Sequence, residues 1–575
     1  MEISEEIKSE IRRMAVRNAL DYGKAEPGVV LNRVLSRFPE LRGDINALSK
    51  AVLPIVDSIN SLGRQELETE AGRYSADFAA EKARKLERTA KPNFALDGAV
   101  NGAFATRFPP APNGYMHIGH AKVAFIESIS AQAYSGTMAL YFDDTNPEKD
   151  RQEFVDEIKK GLEWLGISFD SEYYASDNLQ LLYRCAGKLI SDGNAYVCSC
   201  TGEEVKKGRI AGKGCDHKAQ ETQRNMELWD DMLGGKFEEN GAILRLNSDM
   251  NADNTTLRDP TLFRIKKTTH YRQGDKYSVW PTYDINTPVI DSTKGITDVI
   301  RSKEFELRDE LYFRVLNLLG MRKPRIHSVA RLEIKGNITS KRRLNELIAR
   351  KLIWGYDDPR LVTIAGLRRR GILPEAIKNL VLKFGLSKAE RETDMGELLA
   401  ENRRLIDGTA KRLFFIANPV RISVTGIPTD KLTARMRLHP KNELGFREYS
   451  LSGTFLISAP EAGSISEGDI VQLKTLFNIT IDSKGESGIE AHYASGGSPG
   501  PVKLAWIDAE NSRQAHLYTI GDLLEGEEFN AESMIQTDGF IEAYVDYLNR
   551  GDVVQFEKVG FFKLDDKTGM RFISM

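Results

Sequence analysis

From residue 1 to about residue 60, apolar side chains return at helical spacing: Ile3, Ile7, Ile11, Met14 and Ala15, then Val30, Leu31, Val34, Leu35 and Phe38. The spacing predicts a small helical domain. Residues 64–94 are rich in Ala, Glu, Lys and Arg but carry no clear apolar stripe, which predicts an exposed helix running into a linker around Lys91-Pro92-Asn93. From Ala103 the pattern changes. A short apolar strand, a Pro/Gly-rich turn, a helix starting near His117 and a second strand over Met138 to Phe142 predict a βαβ unit.

The same alternation resumes near residue 279 and ends around 334, so residues 196–265 read as an insertion with its own strands at Ala242 to Leu246 and Thr261 to Ile265. Helical spacing returns over 340–415. Beyond Arg421, short apolar alternations broken by Gly, Pro, Ser and Asp (Arg421 to Val424, Gly453 to Ser458, Asp469 to Leu473, Val502 to Trp506, Phe556 to Phe562) predict an all-β region of barrels. The expected organisation is a helical extension and linker (1–95), an α/β Rossmann-type domain in two halves (96–195 and 266–335) around an insertion (196–265), a helical segment (336–415) and a β-barrel region (416–575). No internal repeat or low-complexity tract stands out.

Composition narrows the classes without naming one. With 575 residues, 41% hydrophobic and 28% charged, the chain is too apolar for disorder and too long for a single ordinary core. Its longest apolar runs, such as Ala51-Val52-Leu53-Pro54-Ile55-Val56, fall far short of the roughly 20 residues that cross a bilayer. The charged start MEISEEIKSEIRRM lacks the apolar centre of a secretory signal, so a cytosolic protein is expected. Four cysteines exclude a disulfide framework. A formal charge of -3 hides a local excess: residues 322–370 hold 14 Lys or Arg against 4 Asp or Glu, a stretch able to face a polyanion.

Chemistry concentrates in a few segments. In Arg107-Phe108-Pro109-Pro110-Ala111-Pro112-Asn113-Gly114-Tyr115-Met116-His117-Ile118-Gly119-His120 the prolines and Gly114 stiffen a turn. Gly119 lets backbone approach a flat ligand, and His117 and His120 share a face at a helix start, where amides and imidazoles suit nucleotide phosphates. Taken alone, the pair also fits a metal pair or a surface pair. Asp143, in Tyr141-Phe142-Asp143-Asp144-Thr145-Asn146-Pro147, follows the second strand, where doubly wound sheets bind ligands, and suits an ammonium group. Lys341 in Ile338-Thr339-Ser340-Lys341-Arg342-Arg343, behind Gly336, fits a loop cation closing on phosphates. Cys198, Cys200, Cys215 and His217 offer four ligands for tetrahedral zinc, with reduced metal-free cysteines as the alternative, and Cys185 reads as a buried helix residue. Arg342, Arg343, Arg360, Arg368, Arg369 and Arg370, interleaved with Trp354 and Tyr356, suit RNA phosphates or a solvated helix face.

The first segment resembles the HIGH signature of class I aminoacyl-tRNA synthetases, and its Phe-Pro-Pro-x-Pro-Asn-Gly-Tyr prefix is similar to the glutamyl/glutaminyl branch. The Lys341 segment resembles the second, KMSKS-type signature. The resemblance implies an inserted domain that binds the tRNA acceptor end and a β-barrel region that reads the anticodon. It further implies ATP contacts from Pro110, Asn113, Gly114, His117, Gly119, His120, Arg331, Leu332, Ser340 and Lys341, with His117, His120 and Lys341 catalytic. Arg107, Asp143, Tyr283 and Arg301 are then expected to hold the amino acid. Tyr141 and Ala111 depart from the family pattern, which usually has Arg at the first position and often Glu or Ser at the second.

In that family the position 18 residues after the tyrosine separates the branches, and this sequence has Arg301, as glutamyl members do. A guanidinium matches a carboxylate with charge-assisted bonds, whereas an amide would leave it uncompensated. An ion pair of Arg301 with Asp298 or Glu304 is the plain alternative. The resemblance therefore implies a glutamate–tRNA ligase of the archaeal type, monomeric, using ATP, Mg²⁺ and L-glutamate, with tRNA(Glu) as acceptor and tRNA(Gln) left open. Glutamine–tRNA ligase, a nucleotidyltransferase with a HIGH-type site, and a non-catalytic RNA-binding protein are the competing expectations.

Overall fold

The structure, a computed structural model, describes residues 4–38, 41, 45–75, 95–389, 392–496 and 502–575. Two compact units result, one ending at Phe94 and one starting at Ala95. The first is helical: α1 (Glu5–Tyr22), α2 (Pro27–Arg37), α3 (Ile45–Asn60) and α4 (Arg64–Gly72). Ser4 starts α1 by accepting a hydrogen bond from the Ile7 amide, relieving one of the helix's unpaired N–H groups. Ile11, Met14, Ala15 and Val34, as the spacing predicts, meet in one core, and Val52 and Val56 join them there. Arg12 reaches Glu70 at 2.6 Å, tying α1 to α4. The expected linker around Lys91-Pro92-Asn93 lies outside the described residues.

In the second unit, β1 (Ala105–Phe108), α5 (Ile118–Ala133), β2 (Thr137–Phe142), α6 (Gln152–Trp164) and β3 (Ser171–Tyr174) form a parallel sheet with β2 central. α7 (Leu179–Ser191) buries Cys185. The insertion follows as β4 (Ala195–Cys198), α8 (Gly202–Ala211), α9 (Thr222–Leu233), β5 (Ile243–Leu246), β6 (Thr261–Ile265) and β7 (Val279–Pro281), an antiparallel sheet in the order 4-5-6-7. It extends past the expected end at 265 because Val279–Pro281 pairs with β6. After α10 (Tyr283–Thr293), β8 (Asp298–Ser302) pairs in parallel with β9 (Arg325–Val329) across α11 (Asp309–Leu319). The Thr297 amide donates to the Ala105 carbonyl at 2.8 Å, and the Ala105 amide to Thr297 Oγ1 at 2.8 Å, which brings β8 alongside β1. The resulting order, 3-2-1-8-9, is a doubly wound arrangement whose switch point lies between β1 and β8.

Helices α12 (Lys341–Ala349), α13 (Ile364–Arg370), α14 (Pro374–Phe384) and α15 (Met395–Ile406) follow, and two seven-stranded sheets complete the chain. The stretch Phe556 to Phe562 spans a hairpin: Val553–Phe556 turns through Lys558, at φ 64°, into Gly560–Asp566. Among the described residues no helix is long and apolar enough to cross a membrane.

Candidate active site

β1, β2 and β8 end on one side of the sheet, and the segment after β1 builds the first half of the site there. His117 caps α5, its Nδ1 accepting from the Gly119 amide at 3.1 Å, while His120 Nδ1 accepts from the His117 amide at 3.2 Å. With both Nδ1 atoms occupied as acceptors, each neutral ring carries its proton on Nε2, so each presents one N–H donor. Both rings are neutral near pH 7: burial, then His120 and Arg331, hold His117 well below its ordinary pKa, and burial with Arg331 pushes His120 down to about 4. The ring centroids stand 3.9 Å apart. Only glycine fits position 119, because a Cβ there would lie 2.9 Å from His117 Cε1 and 3.3 Å from the Leu332 carbonyl oxygen.

Lys341 opens α12 and lies over Gly114, its ammonium 4.5 Å from the Phe154 ring centre. Burial lowers its pKa, and Asp150 opposes that shift. Pro110, Asn113, Gly114, His117, His120 and Lys341 thus line one cleft of about 150 Å³. Tyr356 stacks on Tyr115 at 4.3 Å beside it. Arg331 flanks the imidazoles and donates to Thr339 Oγ1 at 3.0 Å, fastening the end of β9 to the lysine loop; it also pairs with Glu304 at 3.1 Å. The loop is supported from the C-terminal region as well: Leu524 N–H donates to the Gly336 carbonyl at 3.1 Å, and Leu523 packs with Ile338, Leu344 and Leu361.

The second half of the site is a lattice of buried charges. Arg107, 1% exposed, donates from Nε and Nη2 to Asp291 at 2.7 and 3.1 Å, and Tyr312 donates to the same carboxylate at 3.0 Å. Its Nη1 has no hydrogen-bond partner, although buried Glu127 lies 3.9 Å away. Asp143 accepts from Thr145 Oγ1 at 3.0 Å and Asn286 Nδ2 at 2.8 Å, and burial raises its pKa. Tyr141, the departure from the family pattern, donates to Asn286 Oδ1 at 2.9 Å, which turns the amide nitrogen toward Asp143. Arg301 donates to the Tyr283 hydroxyl at 2.8 Å and pairs with Asp309. Asp298 and Glu304 are occupied elsewhere, Asp298 by Arg325 and His327 and Glu304 by Arg331. Arg107 acts electrostatically on both Tyr283 and Asp143, and Arg301 bonds Tyr283, so the four expected amino-acid contacts lie close to one another.

Sequence reasoning missed Asp291, Asn286 and Asp309, which hold Arg107, Asp143 and Arg301, and it missed Arg264. Arg264 lies near Asp143, and its Nε is buried without a partner. No local pattern marks these positions. The basic run divides. Arg342 is 91% exposed along its side chain and Arg368 is exposed. Arg360 and Arg370 are buried instead, Arg360 on Asp358 at 2.8 Å and Arg370 on the Ser574 and Ile520 carbonyls, so neither belongs to a solvent-facing phosphate surface. Helical phase and the packing of the C-terminal sheet against α13, rather than charge, decide that difference. In the insertion, Cys198, Cys200, Cys215 and His217 bring their ligand atoms within 4.8 Å of one another.

A lysine loop facing an imidazole pair across the C-terminal edge of a doubly wound sheet is the arrangement of a class I aminoacyl-tRNA synthetase. Residues 103–406 match the catalytic domain of tRNA synthetases class I (E and Q), and residues 410–494 and 503–565 match two anticodon-binding domains of the same class. The chain belongs to this glutamyl/glutaminyl family. It is 38% identical to a glutamate–tRNA ligase of Nitrosopumilus maritimus over 98% of this chain and 99% of that one. Glutamate–tRNA ligases of Cenarchaeum symbiosum (38%, covering 98% of each chain) and Thermococcus kodakarensis (35%, 98% of each) are similar along the same length.

Proposed function

We propose that the protein is a glutamate–tRNA ligase that forms glutamyl-adenylate from L-glutamate and ATP and transfers the glutamyl group to the 3′ end of tRNA(Glu). The observation that carries the choice of glutamate is Arg301. Of its five N–H groups, one meets Tyr283 and one meets Asp309, which leaves three for a substrate carboxylate in a buried pocket. Asp143 is the partner for the α-ammonium group, whose charge would reverse the effect of burial on that carboxyl. Arg107, held by Asp291, offers Nη1 to the substrate.

The substrate α-carboxylate attacks the α-phosphorus of ATP in line, and pyrophosphate leaves; no protein nucleophile is required. The Nε2–H groups of His117 and His120 and the Lys341 ammonium supply donors and charge to the phosphates, so catalysis is positioning plus electrostatics. Mg²⁺, which the family implies, would be held through the ATP phosphates and would neutralise part of their charge. Charging of purified tRNA(Glu) and tRNA(Gln) with each of glutamate and glutamine tests the reading. Glutamate on tRNA(Glu) is expected, and exclusive use of glutamine would defeat it.

The cysteine cluster fits a structural zinc. A tetrahedron with Zn–S arms of about 2.3 Å has edges of about 3.8 Å, and Cys198 Sγ to Cys215 Sγ spans 3.7 Å. His217 turns Nδ1 toward Cys200 at 3.5 Å and places Nε2 2.8 Å from the Ser199 hydroxyl, an outer contact that would fix the ring. Protein purified without chelators should carry about one zinc per chain and lose it in Cys200→Ser; metal-free wild-type protein would count against the site.

A further inference from the structure

Between the C-terminal end of α13 and the strand Gly560–Asp566 lies a cleft of about 330 Å³, lined by Arg368, Arg369, Arg550 and Lys563 with Asp357 and Asp565. The charges do not balance inside it. Both carboxylates pair with Arg369, at 2.9 and 3.0 Å, and Asp565 is shared with Arg571 at 2.8 Å. Lys563 donates to the Arg368 carbonyl at 2.6 Å, and Arg550 to the Asp565 backbone carbonyl at 2.7 Å. Among the described residues Arg368, Arg550 and Lys563 have no ion-pair partner, although they face one another. Burial, with Arg368, Arg550 and Arg369 as cationic neighbours and only Asp565 opposing, lowers the Lys563 pKa. Crowded cations repel one another in a partly buried cleft, and an anion entering it would relieve that repulsion.

Trp354 stands beside the cleft, 42% exposed, and its ring lies against the guanidiniums of Arg369 (4.7 Å) and Arg571 (5.2 Å) with Tyr518 edge-on at 5.8 Å. A cationic cleft joined to an exposed indole suits a phosphodiester with its base or ribose, a combination that an acidic peptide does not offer. We propose that this cleft seats a backbone phosphate of the bound RNA, held by Arg368, Arg550 and Lys563, with Trp354 receiving the adjoining nucleotide. The site rests on the ligase reading and extends it to the C-terminal sheet, where the sequence carries no sign of it. It also couples two regions: a phosphate there is gripped at once by the helical segment and the strand that packs on it.

Equilibrium tRNA binding measured against salt, with steady-state charging, tests the site on Arg550→Gln, Lys563→Gln and Lys563→Arg. Each Gln variant should weaken tRNA binding about 3- to 10-fold near 0.1 M salt and reduce the log–log salt slope by roughly 0.7 to 0.9. Michaelis constants for tRNA should rise, while kcat at saturating tRNA and the Michaelis constant for glutamate stay at wild-type values. Lys563→Arg, which keeps the charge, should restore binding. Wild-type affinity and slope in both Gln variants, alongside active wild-type enzyme, would overturn the proposal, as would loss of binding to a polyglutamate peptide with tRNA binding intact. A wild-type enzyme that charges no tRNA would instead bring down the ligase reading itself.

Discussion

The two halves of the site are built on opposite electrostatic plans. At the proposed nucleotide end, His117 and His120 are neutral rings oriented by backbone amides, and Lys341 rests on a phenyl ring rather than on a carboxylate. At the proposed amino-acid end the two central arginines already have counter-ions: Arg107 has Asp291, and Arg301 has Asp309. The first plan leaves donors uncommitted for a group that arrives with its own charge. The second fixes the geometry of a small pocket at the cost of desolvated ions, which are tolerated only in pairs. Substitution of Lys341 should therefore affect rate with little effect on folding, and substitution of the paired ions rate together with folding.

The sharpest way to break that contrast is Asp291→Ala, which leaves Arg107 buried without its partner. Stability of the catalytic domain should fall by about 3–5 kcal/mol, seen as an earlier unfolding transition in urea; an unshifted transition would refute the paired-ion description. Lys341→Ala should do the reverse, lowering kcat about 10²- to 10³-fold while the urea transition stays put. His120→Ala should lower kcat to a similar degree, and near-wild-type turnover in both variants would remove these side chains from catalysis.

Arg301→Ser sharpens the comparison within the amino-acid end. Hydrogen bonds to a charged group contribute about 1.5–3 kcal/mol, so kcat/KM for glutamate relative to glutamine should drop roughly 10- to 150-fold on one tRNA. An unchanged ratio would mean that Arg301 serves only Asp309 and Tyr283.

The smallest effect concerns pH. His120, pushed down to about 4 in the folded chain, titrates near 6.5 when unfolded. The unfolded chain thus binds the extra proton first, and the contribution to stability is complete above about pH 6.5 and lost as pH falls toward 4. A loss of about 1–2 kcal/mol between pH 7 and 5 follows from this ring. Imidazole NMR should find His120 neutral with its proton on Nε2 at pH 6, and an ordinary titration near 6.5 would contradict the burial argument.

Legibility in the sequence tracked chain distance. The turn from Pro109 to Gly114 and the two imidazoles lie within one local segment, and the parallel strand pair, the helical N-terminal core and the β-rich end announce themselves by periodicity. Lys341 was readable through its own loop. The residues that hold the pocket were not: Asp291 is 184 positions from Arg107, and Asn286 is 143 from Asp143. An aspartate in a helix carries no sign of the arginine it will meet. Arg360 and Arg370 mislead for the complementary reason, since a basic run reports charge and says nothing about which side chains the neighbouring sheet will cover.

The sequence by itself determined the class of elements, the turn from Pro109 to Gly114, the loop lysine and the arginine at 301, on which the proposed choice of glutamate rests, because each is set by local backbone chemistry or by a side chain's own charge. Tertiary structure alone decided which carboxylates neutralise the pocket arginines, that Tyr141 orients Asn286 toward Asp143, that Leu523 and Leu524 brace the lysine loop, and that Arg550 and Lys563 join Arg368 in one cleft. Those outcomes depend on burial and on separations across the folded sheet, and both come into being only when distant segments exclude water together.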